Sequence, residues 1–306
     1  FATSQQTLLT GETGTINSGG DLTTSSIAII SGASNITVLN NGAIRTTNLA
    51  IYSYSNSGTN TITNNGTITI TGTTVYGIDS LYNSGTTNIT NGGTITTTNN
   101  NSNPVFSGGN LGTTNITNSG IITTNGQDGV GIYSFYQANA GTSTITNSGT
   151  ITTSGSDSYG IYSDGNSGTS TITNSGTITT TGASGHGFYS ASNSGTETLT
   201  NSGTIRVTGS SAVGIKIGGA QTINNSGTIS ASGDATKAIE ATGDFDNTLN
   251  LLSGSTITGT IDLGGGTDTI NISGTQNING CATAACMSSS LFTNAEVINI
   301  ASDVEG

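Results

Sequence analysis

Apolar side chains in this sequence stand singly between small polar ones. In TITNSGTITT, residues 144–153, each Ile is flanked by Thr, and the segment ITNSGTITT at 145–153 returns unchanged at 172–180. Such alternation has the period of a β-strand with one buried face, and it stops at each Asn-x-Gly phrase.

A longer period lies over the first. The Gly residues that end these phrases are Gly42, Gly66, Gly93, Gly120, Gly149, Gly176, Gly203 and Gly227, spaced by 24, 27, 27, 29, 27, 27 and 24 residues. Three apolar files keep phase with them. Four residues before each Gly stand Val38, Ile62, Ile89, Ile116, Ile145, Ile172, Leu199 and Ile223. Two residues after stand Ile44, Ile68, Ile95, Ile122, Ile151, Ile178, Ile205 and Ile229. A third file, in most units twelve after, is Ile51, Ile78, Val105, Ile132, Ile161, Phe188, Ile215 and Ile239.

Three short strands per unit cannot bury their apolar faces alone, but stacked identical turns close a narrow interior. The pattern therefore predicts an all-β right-handed three-sided parallel β-helix, its hand taken from the rule for parallel crossovers. Each rung takes about 27 residues, and ten to eleven rungs make a rod on the order of 50 Å long. Residues 1–279 are assigned to this repeat domain, and 280–306 to a C-terminal segment whose last strand continues or caps it. Length changes fall in turns: two extra residues in YSFYQANA (133–140), and three missing between Gly42 and Ile51 and again between Ile215 and Gly219.

Composition agrees. Charged residues are 7% and Pro occurs once, against a disordered chain, and β-branched Thr and Ile displace helix formers. Four basic residues against 16 acidic ones give a net charge of −12, which repels a phosphate backbone or an anionic bilayer. Nucleic acid is not an expected partner, and no apolar run reaches the roughly 20 residues of a membrane-spanning helix. The start FATSQQ, without Met, suggests that a leader has been removed.

Cys281 and Cys286 are close enough for a local disulfide, with two free thiols as the alternative. A metal site would need further ligands, and the sole histidine, His186, is remote and expected in a surface turn. Oxidised, the pair indicates an extracytoplasmic location.

Asn40, Asn64, Asn91, Asn118, Asn147, Asn174, Asn201 and Asn225 form an unbroken file, expected to tolerate left-handed backbone and to hydrogen-bond along the rod. Asn56, Asn83, Asn110, Asn139, Asn166 and Asn193 form a second. Carboxylates are thin for a glycosidase: the candidate pairs are Asp244 with Asp246, two apart, and Asp157 with Asp164, flanking one strand, and Arg45, Arg206, Lys216 and Lys237 are solitary. No catalytic activity and no cofactor are expected. GGGTDTINI at 264–272 is similar to one copy of the calcium-binding nonapeptide of repeat-toxin β-rolls, which leaves calcium near Asp268 as an alternative to a simple turn cap.

Outward Thr rows (Thr67, Thr94, Thr150, Thr177, Thr204; Thr69, Thr96, Thr123, Thr152, Thr179) resemble the lattices of ice-binding proteins, although Ile121 and Arg206 interrupt them. A further strip, Tyr52, Phe106, Tyr133, Tyr162 and Tyr189, follows the third apolar file by one residue and is expected to face outward, joined by Phe135 and Tyr136. It is the candidate binding surface, by stacking along the ladder or by meeting a glycan or another rod.

The TITNSGTITT…GIYS units leading into LSGSTITGTIDLGGGTDTINISG resemble the passenger region of bacterial autotransporters over roughly residues 10–300. The resemblance implies a β-helical passenger at the outer surface of a Gram-negative cell, exported through a C-terminal barrel, and few, closely spaced cysteines. The barrel that the resemblance implies does not lie within residues 1–306. The expected function is display, adhesion or self-association, with copies of itself or the glycans or proteins of host or neighbouring cells as partners. The alternatives are a filament built by end-to-end stacking and an ice-binding protein.

Overall fold

The computed structural model describes residues 4–139, 141–279 and 292–301, with the backbone alone over 136–139. Its strands form three parallel sheets of twelve, twelve and eleven strands, each strand pairing with those three places before and after it in the chain. This is a parallel β-solenoid with eleven complete three-strand turns among the described residues, which meets the expected ten to eleven. No helix is present among those residues.

Register follows the apolar files. Ile51 pairs with Ile78, Val105 with Ile132, Ile145 with Ile172 and Ile151 with Ile178, and all of these side chains are buried. The insertion in YSFYQANA is absorbed by a register shift between Phe135 and Asn139. From Gly42 to Gly227 glycine marks the corner between the second and third sheets because successive turns touch there: a Cβ on Gly176 would lie 2.1 Å from the Gly149 carbonyl oxygen.

The interior is not purely aliphatic, as the alternation suggested, because its corners hold polar seams. Each Asn from Asn40 to Asn201 donates its side-chain N–H to the carbonyl oxygen of the next Asn in the file, ending on Asn225, at 2.7–2.8 Å. Asn225 donates onward to Ser255 Oγ at 3.2 Å. Left-handed backbone falls elsewhere, at Thr74, Asn101, Asp128, Asp157, Ser184 and Ser211 in the corner before the first sheet and at Ser55, Tyr82 and Ser192 in the corner after it, so the Asn file owes its place to amide pairing. In the second file Asn56, Asn83, Asn110, Asn166 and Asn193 donate to buried Ser hydroxyls three residues earlier, at 2.6–2.7 Å. The Asn139 side chain lies outside the described residues.

Phe292–Thr293 and Val297–Ile300 continue the first and second sheets. Cys281 and Cys286 lie outside the described residues. Among those described, no helix is long and apolar enough to cross a membrane.

Candidate binding face

The first sheet turns an aromatic face to solvent. One row runs in register through Tyr52, Asp79, Phe106, Tyr133, Tyr162, Tyr189, Lys216 and Glu240. Within it Tyr133 stacks on Tyr162 at 4.7 Å and 9°, and Tyr162 on Tyr189 at 4.8 Å and 4°. Those separations match the spacing of paired strands, so the backbone ladder itself sets the stack. The rings of Tyr52, Tyr133, Tyr162 and Tyr189 are half-buried rather than free, Phe135 is half-buried beside them, and Phe106 is only 6% exposed. Neighbours cover both faces of Tyr162, and solvent meets ring edges and hydroxyls. The side chain of Tyr136 lies outside the described residues.

A second row, absent from the sequence reading, carries Tyr76, Asn103, Val130, Tyr159 and His186. Tyr76 stacks on Phe106 at 4.5 Å; Tyr159 stacks on His186 at 5.2 Å and stands edge-on to Tyr162 and Tyr189. His186 is therefore a buried strand residue and not part of a surface turn. Its Nδ1 accepts the Val213 N–H at 3.2 Å, and burial, aided by Lys216, lowers its pKa to about 3.

Burial also dominates the acids and phenols of this face. It raises Asp79, whose Oδ1 has no partner among the described residues, to about 7. Tyr159 is raised to about 12 by burial and then by Tyr189, Asp157 and Asp128. Tyr133 and Tyr162 are raised by burial and by Asp164. At the upper end the Lys216 ammonium sits 5.7 Å from the Tyr189 centroid and 3.7 Å from Glu240.

Two grooves flank this aromatic ridge. One, of about 390 Å³, lies between Tyr133 and Tyr162 on one side and the corner residues Asp128 and Asp157 on the other. The second, about 310 Å³, is lined by Leu81, Tyr82, Phe106 and Phe135.

The remaining candidates lie apart from this face. The Thr rows align on the third sheet, Thr150 with Thr177 and Thr152 with Thr179, with Ile121 and Arg206 at the breaks. Asp268 is buried; its Oδ1 accepts the Asn247 N–H at 2.7 Å and its Oδ2 has no partner among the described residues. Among those residues no group of three or more His, Cys, Asp or Glu could hold a metal ion. Glu197, which the sequence reading passed over, is sealed in the interior. Its Oε2 accepts from Ser190, Asn193 and Gln221, and desolvation raises its pKa.

Fold and face together define a parallel β-solenoid repeat protein with an aromatic ladder along one sheet. The chain belongs to the family described as BigA third pectate lyase-like domain, which matches residues 6–213, about two thirds of the sequence. No curated protein matches it, and no solved structure does.

Proposed function

We propose that the chain is a non-catalytic surface or secreted solenoid of the autotransporter-passenger type, at the outer surface of a Gram-negative cell, that docks on neighbouring surfaces or on copies of itself. The observation that carries this reading is the aromatic ladder of the first sheet. Its rings are fixed by their neighbours before any partner arrives, so contact costs little side-chain entropy, and their hydroxyls offer polar contacts along the edge. The placement of the acids supports a non-catalytic role: Glu197 is sealed inside, and Asp79 is buried within the ring row. Beads coated with the chain, or cells displaying it, are expected to adhere or aggregate. Changing Tyr133, Tyr162 and Tyr189 together to Ser is expected to reduce this about tenfold with the circular dichroism unchanged, and equal adhesion would refute the docking role.

A filament is the second reading: among the described residues the outermost strands of each sheet pair on one side only. Open edges recruit further strands. Electron micrographs of purified protein then show rods in end-to-end multiples; single short rods at high concentration count against it.

A further inference from the structure

The row that carries Tyr76, Tyr159 and His186 has two turns without a ring. Asn103 and Val130 occupy them, both buried against the sheet, so Tyr76 and Tyr159 stand three turns apart, about 14 Å at the spacing of paired strands, and the slot lies between Tyr159 and the Phe106 ring stacked on Tyr76. Tyr133 and Tyr162 form one wall, and Asp128 and Asp157 stand opposite at consecutive left-handed corners.

The charged side chains that line the slot, Asp128 and Asp157, are both acidic. Among the described residues no Lys, Arg or His side chain pairs with Asp128 or Asp157. The one ring face turned to the slot, that of Tyr159 toward Val130, adds its own negative quadrupole. The chain itself shows what this surface accepts, since higher on the same sheet the Lys216 ammonium lies over Tyr189. Tyr159 meets His186, Tyr162 and Tyr189, all on its own turn or the next one up, which leaves its face toward Val130 without a ring.

We infer that this slot binds an arginine side chain of a basic protein segment. A guanidinium is planar, weakly hydrated, stacks on tyrosine and pairs bidentately with carboxylates, and Tyr159 with Asp128 and Asp157 offers both contacts. A sugar needs open ring faces, and in the Tyr133–Tyr162–Tyr189 run the neighbours occupy them. The net charge of −12 favours a basic segment over a second copy as the occupant of this slot. The inference rests on the docking role proposed for this face and names the partner that one part of it takes.

A fluorescent nona-arginine peptide, titrated at about 0.15 M salt where long-range attraction is screened, tests it. The native chain is expected to bind. The pair Asp128→Asn and Asp157→Asn is expected to weaken binding about tenfold, and Val130→Tyr, which fills the slot with the missing ring, to abolish it. The pair Glu12→Gln and Asp234→Asn removes the same charge elsewhere and is expected to change affinity less than about twofold. Equal weakening by both pairs, unaltered binding by Val130→Tyr, or capture of cellohexaose in place of the peptide overturns the inference. The docking role itself falls only if the Tyr133, Tyr162 and Tyr189 triple variant adheres as the native chain does.

Discussion

Asp79 and His186 titrate in opposite directions for one reason, the cost of a buried charge. Asp79 keeps its proton to about pH 7 against an ordinary 3.8. Between those values the folded chain holds a proton that the unfolded chain has released, so stability falls as pH rises through the window. Asp79→Asn removes the ionisation with little change of shape. At pH 8 the variant should be more stable by at most about 4 kcal/mol, at about 1.4 kcal/mol per pKa unit, and at pH 4 the advantage should vanish. Urea titrations at the two pH values check this; a variant no more stable at pH 8 refutes it. His186 behaves inversely, its pKa falling from 6.5 to about 3. Below pH 6.5 the unfolded chain takes up a proton that the folded one refuses, and stability drops toward pH 3. His186→Phe keeps a ring on Tyr159, and Val213 N–H retains the Gly185 carbonyl at 3.3 Å. The variant is expected to lose less stability between pH 6 and pH 4 than the parent in the same titrations. The setting of His186 was not legible in the sequence, and the reason is local. Counting by twos from Ile161 sends Tyr159 inward, but Gly160 takes an inward place of its own, where a Cβ would meet Ile178 Cγ2 at 2.3 Å. The alternation reverses at that Gly-Ile step and turns Tyr76, Tyr159 and His186 outward.

Single strands here are held by what their corners share with the turns above and below. The strand Thr142–Asn147 ends in the amide ladder, where Asn147 accepts from Asn118 and donates to Asn174, each at 2.7 Å. Asn147→Ala leaves a buried donor and a buried acceptor unpaired, at roughly 1–3 kcal/mol each. A loss of about 3 kcal/mol is expected in chemical denaturation, against less than about 1 kcal/mol for outward-facing Thr146→Ala. Comparable losses would mean that the ladder adds nothing beyond ordinary side-chain contact. The Ile files of these strands could be read from sequence because alternation and repeat length agree at every turn. The polar seams were harder, since Asn at a corner satisfies turn chemistry and side-chain pairing equally well. For Ser163 the signal was present and unused: it stands two residues after Ile161 and so shares the inward face.

At the scale of the molecule, each turn touches only its neighbours, so stability should be close to a sum over turns and the interfaces between them. Register is preserved only by whole periods. Deleting residues 150–176 removes one complete turn of 27 residues, as the Asn147–Asn174 separation measures it, and joins Gly149 to Thr177, which recreates the local sequence NSGT. Ile122, previously paired with Ile151, then meets Ile178, and every file closes over the gap. The shortened protein is expected to fold with an unchanged β-sheet circular dichroism spectrum and a modestly lower midpoint. Deleting residues 150–158 instead removes one side of the triangle. The chain leaves the second sheet at Asn147 and re-enters at the first without crossing the third, so Ile122 faces an absent partner and the Asn file loses its corner. That variant is expected to be insoluble or to lose its cooperative transition. Should the smaller deletion fold as well as the larger, the three-sided period that organises the core, the amide ladder and the aromatic face alike would be wrong.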